Sequence, residues 1–244
     1  MEVVHELLGY KKIKIIQNDD MFSFSLDSIL LANFVIVSEK DTMIMDLGCG
    51  NGPIPLFLTM KTNAKIYGVE IQNEIFDMAK RSVELNNFEK QITILHDDLI
   101  NIYKKGFANC FNIVTSNPPY FKLNPQSNLN KNEYLTIARH EVKVKLEDII
   151  TEAKKLLVDG GSLYLVHRAE RIDDILMLLK NSNFACKRIQ FVYSKVTSDN
   201  ALTVLVEAKK NRQSGIKVLK PLYTYDEYGE YTEEIKKIFN FSKN

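Results

Sequence analysis

DLGCGNGP, residues 46–53, joins a run that reads as a β-strand to one that reads as a helix. Upstream, TMIMDL (42–47) is a short apolar run ending on an acid. Downstream, PIPLFLTMK (53–61) has helical spacing and opens with a proline, a residue suited to the first turn of a helix. The glycines between them let the backbone turn tightly and approach a ligand closely. A dinucleotide fingerprint GxGxxG would need glycine where Pro53 stands, and a phosphate-cradling loop would need a closing lysine followed by serine or threonine. The spacing is instead DxGxGxG, carried by Asp46, Gly48, Gly50 and Gly52.

Outward from this loop, strand and helix patterns alternate. AKIYGVE (64–70) is strand-like, and NEIFDMAKRSVELNN (73–87) is amphipathic, with apolar residues at 75, 76, 79, 83 and 85. QITILHDD (91–98), FNIVTSN (111–117) and SLYLVHR (162–168) read as strands. LEDIITEAKKLLVDGG (146–161) reads as a strong helix closed by two glycines, and AERIDDILMLLKNSN (169–183) as another. CKRIQFVYSK (186–195) and ALTVLVEAKK (201–210) are β-rich with no helical pattern between them. This order predicts an α/β fold: a doubly wound, mostly parallel seven-stranded sheet, helices on both faces, and an antiparallel hairpin at one edge. A single domain is expected over 1–244, with an N-terminal extension and helix in 1–41, a core in 42–208, and a tail in 209–244 ending in a short docked helix. Residues 122–132, KLNPQSNLNKN, read as a mobile polar loop.

Composition narrows the class. The 244 residues are 45% hydrophobic, enough for one large core. No window approaches the roughly 18 consecutive apolar residues of a membrane span, the longest run being ILLANFVIV (29–37), so no membrane association is expected. MEVVHELLGY carries an early glutamate and no basic leader, so no signal peptide is expected either. Cys49, Cys110 and Cys186 are isolated, a pattern that points to a reducing compartment and against both a disulfide framework and structural zinc, and no metal is expected. A cytoplasmic protein is the expectation. The net charge of +1 says nothing about partners.

In doubly wound sheets, ligands lie at the carboxyl ends of the strands. Glu70 ends the second core strand, where an acid can accept both hydroxyls of a ribose, and Asp97 and Asp98 end the third, offering a carboxylate to an exocyclic purine amine. Asn117 ends the fourth, in SNPPYF (116–121), whose two prolines also terminate the strand. Strand ends carrying DxGxGxG, Glu, Asp-Asp and Asn-Pro-Pro-Tyr resemble the S-adenosylmethionine-dependent class I methyltransferases, over about residues 20–208. The resemblance implies S-adenosylmethionine as cofactor, bound by Asp46, Gly48, Gly50, Gly52, Glu70 and one of Asp97 and Asp98. The Gly48–Gly52 backbone would lie against its methionine part. Leu99 or Ile71 would pack on the adenine ring, or serve only the core.

The same resemblance gives SNPPYF a chemical role. An amino group conjugated to a ring or carbonyl is a poor nucleophile because its lone pair is delocalised. Two acceptors, the Asn117 side-chain oxygen and the Pro118 carbonyl, would hold both N–H bonds and let the nitrogen pyramidalise toward the methyl group. Pro119 biases Pro118 toward an extended conformation, and Tyr120 supplies an aromatic face for the planar group. Such a site works by positioning and electrostatics and needs no general base before the methyl arrives. The motif occurs in methyltransferases of adenine N6, guanine N2, cytosine N4 and the glutamine amide of release factors. It therefore selects the chemistry and leaves the substrate open. Carbon-5 pyrimidine methylation would need a nucleophilic cysteine, and Cys49 and Cys110 read better as small buried residues.

The flanks suggest the substrate. Only about 40 residues precede the first core strand, fewer than the extra helical domain of the glutamine methyltransferases. FSFSLDSILLANF (22–34), with Ser25 as a helix N-cap, IARHE (137–141) and ALTVLVEAKK resemble the family that methylates N6 of the adenosine beside the anticodon of a valine tRNA. That implies tRNA as partner, with Asp27 facing the cofactor or target pocket, or else only complementing the helix dipole. Arg139 and His140 would contact the RNA or pair with Glu141. A protein glutamine N5-methyltransferase, an rRNA guanine N2-methyltransferase, and a catalytically silent RNA-docking module are the alternatives. RNA needs positive surface, and KKNRQSGIKVLK (209–220), Lys11, Lys12, Lys14, Lys187, Arg188 and Lys195 are the candidates to line it. His167 reads as a structural histidine.

Overall fold

A computed structural model of the chain describes residues 1–7, 9–18, 26–118 and 144–240. The elements run β1 (Glu2–Leu7), β2 (Tyr10–Asn18), α1 (Leu26–Phe34), β3 (Met43–Leu47), α2 (Pro53–Leu58), β4 (Lys65–Glu70), α3 (Asn73–Leu85), β5 (Ile92–His96) and β6 (Phe111–Ser116). After the undescribed stretch come α4 (Leu146–Leu156), β7 (Leu157–Arg168), α5 (Ile172–Asn181), β8 (Phe184–Lys195), β9 (Thr203–Lys210), β10 (Lys217–Val218), β11 (Leu222–Tyr225) and α6 (Glu233–Ile238).

The main sheet has the order β10-β8-β9-β7-β6-β3-β4-β5, with β11 also on β8. β3, β4, β5, β6 and β7 pair in parallel, while β9 runs antiparallel to both β7 and β8. This is the expected mostly parallel α/β sheet with an antiparallel pair. The seven expected strands are all present, and among the described residues the sheet has nine, because the tail adds β10 and β11 along the outer edge of β8. Runs of two and four residues are too short to leave a period-two signature.

Alternation along the strands feeds two cores. Ile44, Ile113, Tyr164 and Leu205 face α1, α2 and the N-terminal hairpin. Met45, Val114, Leu163 and Val206 face α4 and α5. Parallel strands buried on both faces read as nearly continuous apolar runs, which is why they stand out in the sequence.

Most boundaries shift by up to three residues, and the largest departure is a helix end with the strand start that follows it. The helix expected over 146–161 ends at Leu156, and Leu157, at φ −73° and ψ 140°, already begins β7. Gly160 and Gly161 therefore sit inside a strand. A Cβ at Gly161 would come within 3.1 Å of the Asn112 carbonyl oxygen, beside the register shift between Phe111 and Ile113 of β6. Gly161 permits close backbone approach, Gly160 (φ 77°) leaves room for the Arg212 guanidinium, and neither caps the helix.

The N-terminal extension is a hairpin, β1 against β2, joined through Gly9. The free edge of β2 is satisfied by side chains of α3: Ile16 N–H donates to Ser82 Oγ (2.9 Å), and Lys14 exchanges bonds with the Asn86 amide (2.9 and 2.7 Å). Gly9 N–H donates to the Phe239 carbonyl (3.0 Å), with Ile235 and Phe239 buried, so α6 docks beneath the hairpin turn.

α1 is held at its carboxyl end by two cations. Lys61 Nζ donates to the carbonyls of Ala32 (3.1 Å) and Asn33 (2.8 Å), and burial pulls its ammonium down to about 8. Arg188 donates to the Phe34 carbonyl (3.1 Å), lies over the Phe34 ring (4.4 Å), and pairs with Glu207. The amino end of α1 is thereby fixed at the carboxyl rim of the sheet. There β4 and β6 flank β3 on opposite sides and the strand order reverses, leaving a crevice.

Candidate active site

The loop after β3 turns through three glycines with left-handed backbones: Gly48 (φ 70°), Gly50 (φ 56°) and Gly52 (φ 91°). L-residues rarely adopt these angles. A Cβ added at Gly48 or Gly50 would meet nothing within 4 Å, so the loop presents bare backbone to open space. It is pinned from behind by β4: Cys49 N–H donates to the Val69 carbonyl (2.9 Å), and Gly50 N–H to Glu70 Oε2 (3.1 Å). Gly68 makes this approach possible, since a Cβ there would stand 2.8 Å from Cys49 Sγ and 3.0 Å from Ile94 Cδ1. Gly68→Ala is expected to lower stability by about 1–3 kcal/mol through overpacking. It would appear as a reduced thermal midpoint, and an unchanged midpoint would mean that the loop yields freely.

Two buried acids stand behind the loop. Asp46, 1% exposed, accepts from Thr115 Oγ1 (2.7 Å) through Oδ1, while its Oδ2 has no partner. Burial pushes its carboxyl up to about 7, against the Thr115 hydrogen bond and with help from the charge of Glu70. Glu70, 6% exposed, is raised by burial and held down by the N–H groups of Gln72 (2.8 Å to Oε1) and Gly50.

A carboxyl whose folded pKa lies above its unfolded 3.8 binds a proton more tightly in the native state, so Asp46 takes away stability as pH rises from about 4 to about 7. His167 works the other way: it is fully buried, accepts from Arg168 N–H at Nδ1 (2.8 Å), and is held down at about 4 mainly by burial. The clean readout is therefore a difference. The midpoint of Asp46→Asn minus that of the wild type should rise across pH 5 to 8, and a flat difference would contradict a proton on Asp46.

Asn51 Oδ1 and Gln72 Oε1 are also buried without a hydrogen-bond partner, while Asn51 Nδ2 donates to the Ile16 carbonyl of the hairpin (2.9 Å). Three unpaired acceptors around an open glycine loop fit a ligand that brings donors and positive charge. Asp97 is tied to the same rim, its N–H donating to the Glu70 carbonyl (3.1 Å). Its carboxylate pairs with Lys105, which holds it below the usual range, and also accepts from Asp98 N–H. Asp98 is exposed and accepts from Ile100 N–H (2.8 Å). Leu99 is buried in the second core, whereas Ile71 is half-buried.

On the other flank, Thr115 faces Asp46 in register and Ser116 Oγ donates to the Leu47 carbonyl (2.8 Å). Asn117 follows directly, and its Nδ2 donates to Ser28 Oγ of α1 (2.9 Å). Asp27, in the first turn of α1, accepts from Thr203 Oγ1 of β9 (3.5 Å). Asp46, Gly48, Gly50, Gly52, Glu70, Asp97 and Asn117 thus share one rim. Pro118 is buried. Pro119, Tyr120, Phe121, the 122–132 loop, Arg139, His140 and the proposed cap Ser25 lie outside the described residues.

Cys49 is buried, and burial raises its thiol well above the ordinary value, which unfits it as a nucleophile. Among the described residues no group of His, Cys, Asp and Glu gathers to hold a metal, and no helix is long and apolar enough to cross a membrane. Three basic candidates are absorbed by the fold: Arg188 as above, Lys210 by Asn109 (2.8 Å) and the Leu157 carbonyl (2.7 Å), and Arg212 by Asp159 (2.8 Å). Lys12, Lys14, Lys195, Lys217 and Lys220 are exposed. Sequence reasoning missed Thr115, Ser28, Asn51 and Gln72. Only Thr115 left a signal, through its place two residues before Asn117 on a strand that pairs with the one ending at Asp46.

The model of the family described as "Methyltransferase small domain" matches residues 12–192. A protein of Photorhabdus laumondii named tRNA1(Val) (adenine(37)-N6)-methyltransferase is 30% identical over 142 residues, covering 57% of this chain and 56% of that relative, little more than half its length. A Histophilus somni protein of the same name is 25% identical over 229 residues, covering 93% and 92%. Among solved structures, an Agrobacterium tumefaciens protein described as a predicted O-methyltransferase superposes with a TM-score of 0.70 at 24% identity, covering 88% of this chain and 96% of that one. Methanocaldococcus jannaschii Trm5, solved with adenosine, gives 0.61 at 17% identity, covering 87% and 57%. At these identities the structural likeness speaks for the fold.

Proposed function

The chain belongs to the methyltransferase small domain family, and on that premise we propose that it transfers a methyl group from S-adenosylmethionine to N6 of an adenosine in tRNA, the one beside the anticodon of a valine tRNA. The observation that carries the reading is the rim itself: a bare glycine loop over two buried acids, with Asn117 beside it and bonded to Ser28 of α1.

When bound, S-adenosylmethionine supplies an electrophilic methyl group on a sulfonium centre. Its cationic methionine end suits Asp46 and the Gly48–Gly52 backbone, and its ribose diol suits Glu70. Of the two acids after β5, we assign Asp97 to the adenine amine, a reading supported by its backbone bond to Glu70 and requiring its carboxylate to share with Lys105. Asp27 is taken up with Thr203 and is better read as part of the wall that carries Ser28. Asn117 and the Pro118 carbonyl accept the two N–H bonds of the target amino group, with Pro119 and Tyr120 completing the motif. No base is required before transfer, because the nitrogen becomes acidic only once alkylated. The methyl acceptor in an anticodon loop is already unpaired, so exposing it costs less than flipping a base from a duplex. A tRNA substrate puts the reaction in the cytoplasm.

The test is transfer of labelled methyl from the cofactor to unmodified total tRNA, run beside rRNA and a release factor. Label in tRNA recovered as N6-methyladenosine supports the reading. Label in glutamine or guanine replaces it with one of the alternatives, and cofactor binding without transfer to any acceptor would leave only the silent module.

A further inference from the structure

We propose that Asn51 is a positioning residue for the cofactor: it ties the glycine loop to the N-terminal hairpin and makes that hairpin a working part of the cofactor site. The inference rests on the reading of the loop as the place where S-adenosylmethionine binds. Asn51 stands between Gly50 (φ 56°) and Gly52 (φ 91°), so the chain is at its most permissive on both sides of it. Such a turn keeps one shape only where groups outside it supply the constraint. β4 supplies part of it, through the bonds from Cys49 N–H and Gly50 N–H. At Asn51 the constraint comes from the hairpin.

Asn51 is 1% exposed, and its Nδ2 donates to the Ile16 carbonyl at 2.9 Å, across 35 positions of sequence. Chemistry fixes the polarity of this bond: a main-chain carbonyl only accepts, so the amide nitrogen must face it. Ile16 is a firm post. Its N–H donates to Ser82 Oγ (2.9 Å), which donates in turn to the Met78 carbonyl (2.7 Å). Its side chain packs with Ile75 and Met78. Ile75, Met78 and Ser82 all belong to α3, the helix that follows Glu70. Loop, hairpin and α3 are therefore joined through Asn51 and Ile16. Cofactor binding on the loop and closure of the hairpin then favour each other, because each stabilises the arrangement the other needs.

Asn51→Ala is expected to raise the cofactor Kd about tenfold, the equivalent of one residue's backbone left to be ordered on binding, with kcat recovered at saturating cofactor. A change that only weakened the fold would lower the thermal midpoint and the binding stoichiometry and leave the Kd of the folded molecules as it was. The wild type gives a second reading that needs no variant. Hydrogen exchange of the β2 amides around Ile16 should slow by about the same factor when S-adenosylmethionine is bound, since coupling is reciprocal, and in Asn51→Ala that slowing should vanish. An unchanged Kd in the variant, or hairpin amides indifferent to the cofactor in the wild type, would overturn the inference and leave the function standing. A wild-type protein that binds no cofactor would remove both.

Discussion

Asn117→Ala should reduce methyl transfer by about 10³-fold, the cost of losing an acceptor that is aligned on charge developing at the reacting atom, while cofactor affinity stays within about threefold of wild type, an uncertainty equivalent to less than 1 kcal/mol. The separation follows from where the residue stands. Asn117 follows β6, on the opposite side of β3 from β4 and its Glu70, and its Nδ2 donates to Ser28 of α1. Truncation removes one of two acceptors for the amino group and leaves the nitrogen flat and unreactive. Single-turnover transfer with saturating tRNA and calorimetric titration of the cofactor give the two numbers. Full activity in the variant would remove Asn117 from the chemistry. Activity lost together with cofactor affinity would make it a binding residue.

Glu70→Ala should weaken cofactor binding by about 100-fold or more, because each charge-assisted hydrogen bond lost is worth about 1.5–3 kcal/mol. Two effects add. The ribose loses both carboxylate oxygens, and the N–H groups of Gly50 and Gln72, which point at those oxygens at 3.1 and 2.8 Å, are left without a partner. The second effect loosens the very loop that receives the methionine end. Glu70→Gln keeps one acceptor and should cost about tenfold, roughly one such bond. Calorimetry on the three proteins reads the series directly, and equal affinities across it would exclude Glu70 from the cofactor site.

The parts of this architecture legible in the sequence are those with local causes. The glycines of DLGCGNGP stand at positive φ, a backbone requirement written at single positions. Strands β3, β4 and β6 are buried on both faces and read as apolar runs, and the acids fall at their ends because the loop chemistry begins there. What escaped notice depends on distant partners. The hairpin β1–β2 shows alternation in KIKIIQN, but its edge is completed by Ser82 and Asn86 of α3, which nothing in residues 1–18 announces. The end of α4 was hidden because Leu156 and Leu157 change from helix to strand without a turn between them. Arg188, counted among surface cations, is drawn inward by Glu207 and the carboxyl end of α1. The bond between Ser28 and Asn117 exists only once α1 crosses the rim.

The most direct measurement is the nucleoside profile of valine tRNA from cells with and without this protein, by digestion and mass spectrometry. N6-methyladenosine should be absent without the protein and return when the purified chain and S-adenosylmethionine are added to that tRNA. An identical profile in the two cell lines, with no methyl incorporated on addition, would contradict the assignment of tRNA adenine as the acceptor.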